Sequence, residues 1–296
     1  MKKKLTILIA LLILAVGAAC IIQYRQGLKH SAELYRNTID NYTEKSPVNG
    51  PAIVFAEDPD DIGEILLTQS GIQSFNDAQD SGYDSIDSDA DIYSYRYNGP
   101  WENQLNVDVK RLNADYNDVK AWILFENEDI SYPVVWTIDD QSYLRSAFNG
   151  DRSSSGSIFI EAYNMPDFSD PHTIIYGHNM RNGTMFGHLR SYLDRAGYYD
   201  YHQYFQIIYI DESGQTVKSR YKVFAYGKVG PTDKIYTVCR QNDAAFAGVI
   251  EFIKDNMTIA SGMPDYQCDR VVSLSTCSTG GDRMVVCGVE IDRCLQ

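Results

Sequence analysis

The chain has 296 residues, 44% of them hydrophobic and 12% aromatic, enough to fill one substantial core. Its formal net charge of −14 excludes the clustered Lys/Arg surface that polyphosphate binding needs, so no nucleic-acid partner is expected.

Lys2, Lys3 and Lys4 precede an uncharged apolar run, Leu5 to Ile22. At 1.5 Å per residue its eighteen residues span about 27 Å, enough to cross a bilayer core. The lysines place residues 1–4 in the cytoplasm and everything after Ile22 outside, so the expectation is a single-pass membrane protein with an extracellular body. Two other readings of the segment stay open. Gly17-Ala18-Ala19-Cys20 is similar to a signal-peptidase site and to a lipoprotein site, although the latter wants a branched apolar residue where Gly17 stands, and the apolar run exceeds a usual signal-peptide core.

Residues 23–105 are expected to link anchor and body. Leu28, Ala32, Tyr35 and Ile39 are spaced for a helix that continues out of the membrane. From Ser46 to Tyr95 there is no Lys or Arg but eleven Asp and Glu, a one-signed stretch that reads as a solvated spacer holding the body away from the membrane. Within it, Asp58-Pro59 ahead of Ile62, Ile65, Leu66 and Leu67 predicts one short helix. A lid over a groove is the sharper alternative.

Residues 106–296 alternate short apolar segments with Gly, Asn, Asp and Ser. Val119–Phe125, Ser131–Trp136, Ser157–Ile160, Thr173–Tyr176, Phe205–Ile210, Thr216–Val229, Arg270–Thr276 and Arg283–Ile291 read as eight strands, which predicts a mainly β, closed or nearly closed barrel. One helix interrupts them: Phe246, Val249, Ile250 and Ile253 recur with helical spacing and Asp243 stands at the cap position.

Three strand ends carry reactive groups. Val271-Val272-Ser273-Leu274-Ser275-Thr276 ends on Cys277, Thr173-Ile174-Ile175-Tyr176 runs into Gly177 and His178, and Arg283 opens the last strand. A thiol, an imidazole and a guanidinium are the parts of covalent acyl transfer. Leu274-Ser275-Thr276-Cys277 with Arg283, Tyr176-Gly177-His178-Asn179-Met180 and Gly183-Thr184-Met185-Phe186-Gly187 resemble a sortase of class B. Trp122-Ile123, Tyr132-Pro133-Val134-Val135 and Gly156-Ser157-Ile158-Phe159 extend the match over residues 106–296. That family builds an eight-stranded barrel with N-terminal helices, and class B has a helix before the strand bearing the cysteine, where periodicity independently places one.

The resemblance implies a membrane-anchored cysteine transpeptidase of Gram-positive bacteria. It would cut a C-terminal sorting motif of a secreted protein, opening with Asn-Pro or Ser-Pro, hold the new C-terminus as a thioester on Cys277 and pass it to a cell-wall amine. His178 would be base and acid, and Arg283 the counter-charge for the oxyanion; Ser275, Asn179 and Met180 are the supporting or substrate-binding candidates. Read as a hairpin loop, Ser278 to Asp282 would set Cys277 directly across from Arg283, and it is shorter than the family's usual loop. Taken singly, each residue has a plainer role: a buried small hydrophobe, a turn histidine, a surface charge. Their joint occurrence in this order reverses that.

No cofactor and no metal are expected, since Cys239, Cys268, Cys287 and Cys294 lack Cys-x-x-Cys spacing and no His-Glu-x-x-His string occurs. Among the other histidines, His30, His172, His188 and His202, His188 reads as a helix-surface residue. Extending the hairpin register sets Cys268 opposite Asp292 with Cys294 diagonal, an awkward reach for a disulfide. The alternative functions are a pilin polymerase using a lysine acceptor and a non-catalytic anchored binding module; a papain-like peptidase is disfavoured because His178 precedes Cys277.

Overall fold

The computed structural model describes residues 2–45, 100–139, 142–277 and 281–296, and of these it describes residues 2–11, Lys45 and Cys277 by backbone alone. The helix expected near Asp58 and the acidic stretch around it lie outside the described residues, as do Ser278, Thr279 and Gly280.

All eight expected strands form, within a residue or two at most ends. They are β3 (Val119–Phe125), β4 (Ser131–Val135), β5 (Ile158–Ile160), β6 (His172–Gly177), β7 (Tyr204–Ile210), β8 (Thr216–Val229), β10 (Val271–Cys277) and β11 (Arg283–Leu295). Three short strands were not foreseen: β1 (Thr43–Lys45), β2 (Leu105–Val107) and β9 (Thr258–Ile259). They are too short to carry an alternation signal.

The sheet runs β11-β10-β6-β5-β4-β3-β7-β8-β9, and a further β8–β11 pairing closes eight of these strands into a barrel. β10 lies antiparallel to β11 and parallel to β6. The two longest strands, β8 and β11, turn around one another with register shifts at Cys287/Gly288 and between Glu290 and Asp292, bulges that let the sheet curve shut. Gly288 sits at one shift because the Phe205 ring occupies the space of a side chain there, 2.4 Å from an ideal Cβ. Inside the barrel, Phe205 stacks on Phe125 and Tyr221 with centroids 5.2 and 5.1 Å apart.

Two elements cover the barrel. In α3 (Ala244–Asn256), the Asp243 carboxylate accepts from the backbone N–H groups of Ala245 and Phe246, as the cap position predicts. Its buried stripe of Phe246, Val249, Ile250 and Ile253 packs on Phe224, Val271, Val285 and Cys287 of the barrel wall, about 2 kcal/mol of burial per large side chain as an upper bound. The second element is α1 (Lys2–Tyr42), one unbroken helix whose Tyr35 and Ile39 are buried in the main core. Among the described residues no helix is long and apolar enough to cross a membrane; residues 5–11 of the run Leu5–Ile22 are described by backbone alone.

Between α1 and the barrel, β1 pairs with β2, Thr43 facing Val107 and Lys45 facing Leu105. Residues 100–107 then run along the barrel. The buried Lys218 ammonium donates to the carbonyls of Glu102 and Leu105, with burial lowering its pKa, and Trp101 donates to Asp292 at 3.2 Å. The short helix α2 (Val109–Asp115) leads into β3, capped by Asp108.

Two expectations need correction. His188 does lie in a short helix, the 3-10 turn of helix Gly187–Arg190, but it is half-buried there, with Nδ1 donating to the buried Glu128 carboxylate. Burial raises the Glu128 pKa, but hydrogen bonds and charge from His188 and Tyr198 outweigh it and hold the carboxyl below its usual range. The hairpin register also does not extend to Cys268, since β10 begins at Val271 and Cys294 lies opposite Lys218 of β8. Cys268 and Cys294 are both free thiols.

Candidate active site

Three adjacent strands deliver the predicted residues to one edge of the barrel. Cys277 is the Cα partner of Arg283 across the β10–β11 hairpin, the placement the loop length predicts. On the other side of β10, Ser275 pairs with Tyr176 of β6, and His178 follows two residues later. Side chains alternate along a strand and cross-strand partners share a face, so Tyr176, Ser275 and Arg283 share one face, with His178 just past the end of β6.

His178 is half-buried and its Nε2 lies 2.6 Å from the Leu144 carbonyl oxygen. A carbonyl only accepts, so Nε2 carries a proton and, in the neutral ring, Nδ1 is the nitrogen left for proton transfer. The bond persists when the ring is doubly protonated. Gly156 backs this arrangement at φ +60°: an ideal Cβ there would meet the Tyr143 and Leu144 carbonyl oxygens at 2.7 Å and His178 Cδ2 at 2.9 Å.

Arg283 rests against two aromatic faces, its guanidinium carbon 5.1 Å from the Tyr236 centroid and 5.6 Å from that of Tyr176. The rings are held in turn. Tyr236 shares a 2.9 Å hydrogen bond with Ser275, and Tyr176 donates to Glu161 at 2.9 Å. Burial raises the pKa of both phenols, opposed at Tyr236 by the Ser275 hydrogen bond and the Arg283 charge. Both phenols stay neutral, and Tyr176 is the donor to Glu161.

Ser275 reaches Arg283 through Tyr236. The other two supporting candidates part company. The Asn179 backbone bridges to Met185 and its Oδ1 is buried with no hydrogen bond, whereas Met180 is buried in the core and is not brought to the site. Sequence reasoning missed Tyr236, Glu161 and the Leu144 carbonyl. Tyr236 lies in a mixed segment without periodicity, and a backbone carbonyl has no sequence signature; Gly156 was visible only as part of a family string. Among the described residues no group of three His, Cys, Asp or Glu side chains is placed to hold a metal ion.

Comparison with known proteins agrees with this geometry. The sortase domain family matches residues 126–291, more than half the chain. The chain belongs to the sortase family. Sortase B of Listeria monocytogenes is 31% identical over 204 residues, covering 67% of this chain and 78% of the relative. Among solved structures, a Streptococcus pyogenes class B sortase involved in pilus biogenesis superposes with a TM-score of 0.55 at 26% identity, covering 62% of this chain and 98% of that one. A Staphylococcus aureus sortase B–substrate complex gives 0.55 at 26% identity, over 62% of this chain and 84% of that one. The sortase here is accordingly a class B cysteine transpeptidase, with the eight-stranded barrel of its relatives.

Proposed function

We propose that this sortase works from a membrane anchor at Leu5–Ile22, with residues 1–4 in the cytoplasm, and cleaves a C-terminal sorting motif of secreted proteins before joining the cut end to a cell-wall amine. The observation that carries the residue roles is the strand register that sets Cys277 opposite Arg283, one strand from His178.

A free thiol near pKa 8.5 is thiolate in only about one molecule in thirty at neutral pH, so Cys277 needs help. His178 supplies it from Nδ1, since Nε2 is committed to Leu144. The Cys277 sulfur attacks the scissile carbonyl, and the resulting oxyanion is met by Arg283, whose planar fork is held by Tyr176 and Tyr236. Collapse breaks the C–N bond, His178 protonates the departing amine, and a thioester remains. The acceptor amine then attacks, losing its proton to His178 and releasing the Cys277 thiol.

The test uses the full chain in detergent with peptides opening on Asn-Pro or Ser-Pro. Wild type is expected to cleave and to yield an acyl adduct on Cys277 by mass spectrometry, and Cys277→Ala to do neither while keeping its thermal melt. Equal cleavage by the variant would sink the assignment. The pilus function of the Streptococcus pyogenes neighbour keeps a pilin lysine as the second acceptor reading, separated from a wall amine by competition between the two nucleophiles.

A further inference from the structure

We propose that Tyr35 of α1 is a positioning residue for His178, so that the helix leading out of the anchor sets the orientation of the catalytic imidazole. The inference rests on the role given to His178 above.

Two routes of contact converge on that ring, and both start at Tyr35. Its side chain is only 3% exposed and its hydroxyl donates to the Gly156 carbonyl at 3.0 Å. Gly156 is the residue with no room behind it, wedged between the Leu144 carbonyl and His178 Cδ2. Leu144 provides the acceptor for His178 Nε2. Within the segment 143–157, Ser157 N donates to Tyr143 at 3.0 Å and Ser153 N to Arg145 at 2.9 Å, and Tyr143 ties it to the barrel by donating to Asp118 at 2.7 Å. Further ties to α1 are the 2.9 Å hydrogen bond between the buried hydroxyls of Ser31 and Ser153, the Tyr35 ring against Phe148 at 5.7 Å and the exposed His30–Asp151 pair at 3.6 Å. Moving Gly156 therefore moves Leu144 and the ring together.

The second route passes through Tyr132. The Tyr35 ring packs edge-on against it, centroids 5.3 Å apart at 84°. Tyr132 accepts from the Met185 N–H at 3.1 Å, Met185 bridges Asn179, and the Phe186 N–H donates to the His178 carbonyl at 3.0 Å. Tyr35 thus supports the backbone of His178 on one side and the acceptor of its side chain on the other. A buried hydroxyl on this helix is needed for neither helix formation nor anchoring, and Phe would fill the same core space.

The experiment compares Tyr35→Phe with wild type in the full-length, detergent-solubilised enzyme, with Tyr42→Phe as control. Tyr42 lies on the same helix and loses the same group, but its hydroxyl bonds the exposed Asp115 at 2.6 Å. Tyr35→Phe is expected to lower kcat about five- to tenfold with KM within about twofold, the effect of one buried hydrogen bond acting on alignment alone. The imidazole limb of the pH–rate profile should shift, and the 15N spectrum of His178 should change from the Nε2–H form to a mixture of tautomers. Tyr42→Phe should change none of these. Wild-type kcat and an unchanged His178 spectrum in a folded Tyr35→Phe enzyme would overturn the proposal, as would an equal loss in Tyr42→Phe. If Tyr35→Phe does not fold, Ser31→Ala frees the same loop at Ser153, and unchanged kcat and spectrum there overturn it too. Failure of the underlying role is separate: His178→Ala would then cleave like wild type.

Discussion

His172 lies in the same strand as the His178 site but belongs to the wall beneath α3, and its burial makes a quantitative acid-stability prediction. Its Nε2 is 2.8 Å from the Ser273 hydroxyl, which also contacts the Cys287 thiol, and Nδ1 is 3.3 Å from the Thr237 carbonyl. With Nδ1–H donating to Thr237, Nε2 accepts from Ser273 and Ser273 accepts from Cys287, a chain complete with a neutral ring. The remaining neighbours, Phe246 stacked at 6.2 Å and the backbone-bridged Cys239, offer no carboxylate. Burial lowers the pKa from 6.5 to about 4, against a weaker raising effect of the Thr237 hydrogen bond. Above pH 6.5 the ring is neutral folded and unfolded, so the depressed pKa has no effect there; as pH falls from 6.5 toward about 4, the unfolded chain takes a proton that the folded one refuses, and stability is lost. Between about pH 7.5 and about pH 4.5 the linkage is on the order of 2–3 kcal/mol, or roughly 5–10 °C in Tm. The assay is thermal unfolding at both pH values for wild type and His172→Gln, which keeps an acceptor but cannot titrate. His172→Gln is expected to be less stable at neutral pH yet to lose less on acidification, by roughly 2–3 kcal/mol. If both proteins lose the same Tm on acidification, the reasoning fails, because every other titrating group is common to the two.

Arg283→Lys keeps the charge but loses the fork lying against Tyr236 and Tyr176, and kcat/KM for a sorting-motif peptide should fall about 10²- to 10³-fold. Asp243→Ala strips the acceptor from the Ala245 and Phe246 N–H groups and should cost about 1 kcal/mol by urea titration. Gly288→Ala drives a methyl into the Phe205 ring at a barrel bulge and should cost about 1–3 kcal/mol in the same titration, with backbone amide shifts confined to β7, β8 and β11.

What could be read from sequence divides by the range of the interaction. The strand β8 and the stripe on α3 were visible because alternation and helical spacing are local, and Cys277 faced Arg283 as expected because a five-residue loop leaves a hairpin little choice. His188 was misjudged since a polar residue after Phe186-Gly187 looks solvent-facing until Glu128, distant in sequence, is brought beneath it. Met180 was grouped with the site by its nearness to His178, but a turn at Gly183 folds its side chain into the core. Tyr236 and the Leu144 carbonyl act by where the barrel closure and the 143–157 segment put them, which no local pattern encodes.

The β1–β2 pairing changes what the acidic stretch can do. Lys45 and Leu105 are Cα partners, so the two residues that bracket the acidic stretch lie side by side on the barrel surface. On the anchoring proposed above, the distance from bilayer to barrel is set by α1: the thirteen residues from Ile22 to Tyr35 rise about 20 Å. On that anchoring the height follows from the helix and not from the length of chain between Ser46 and Tyr95.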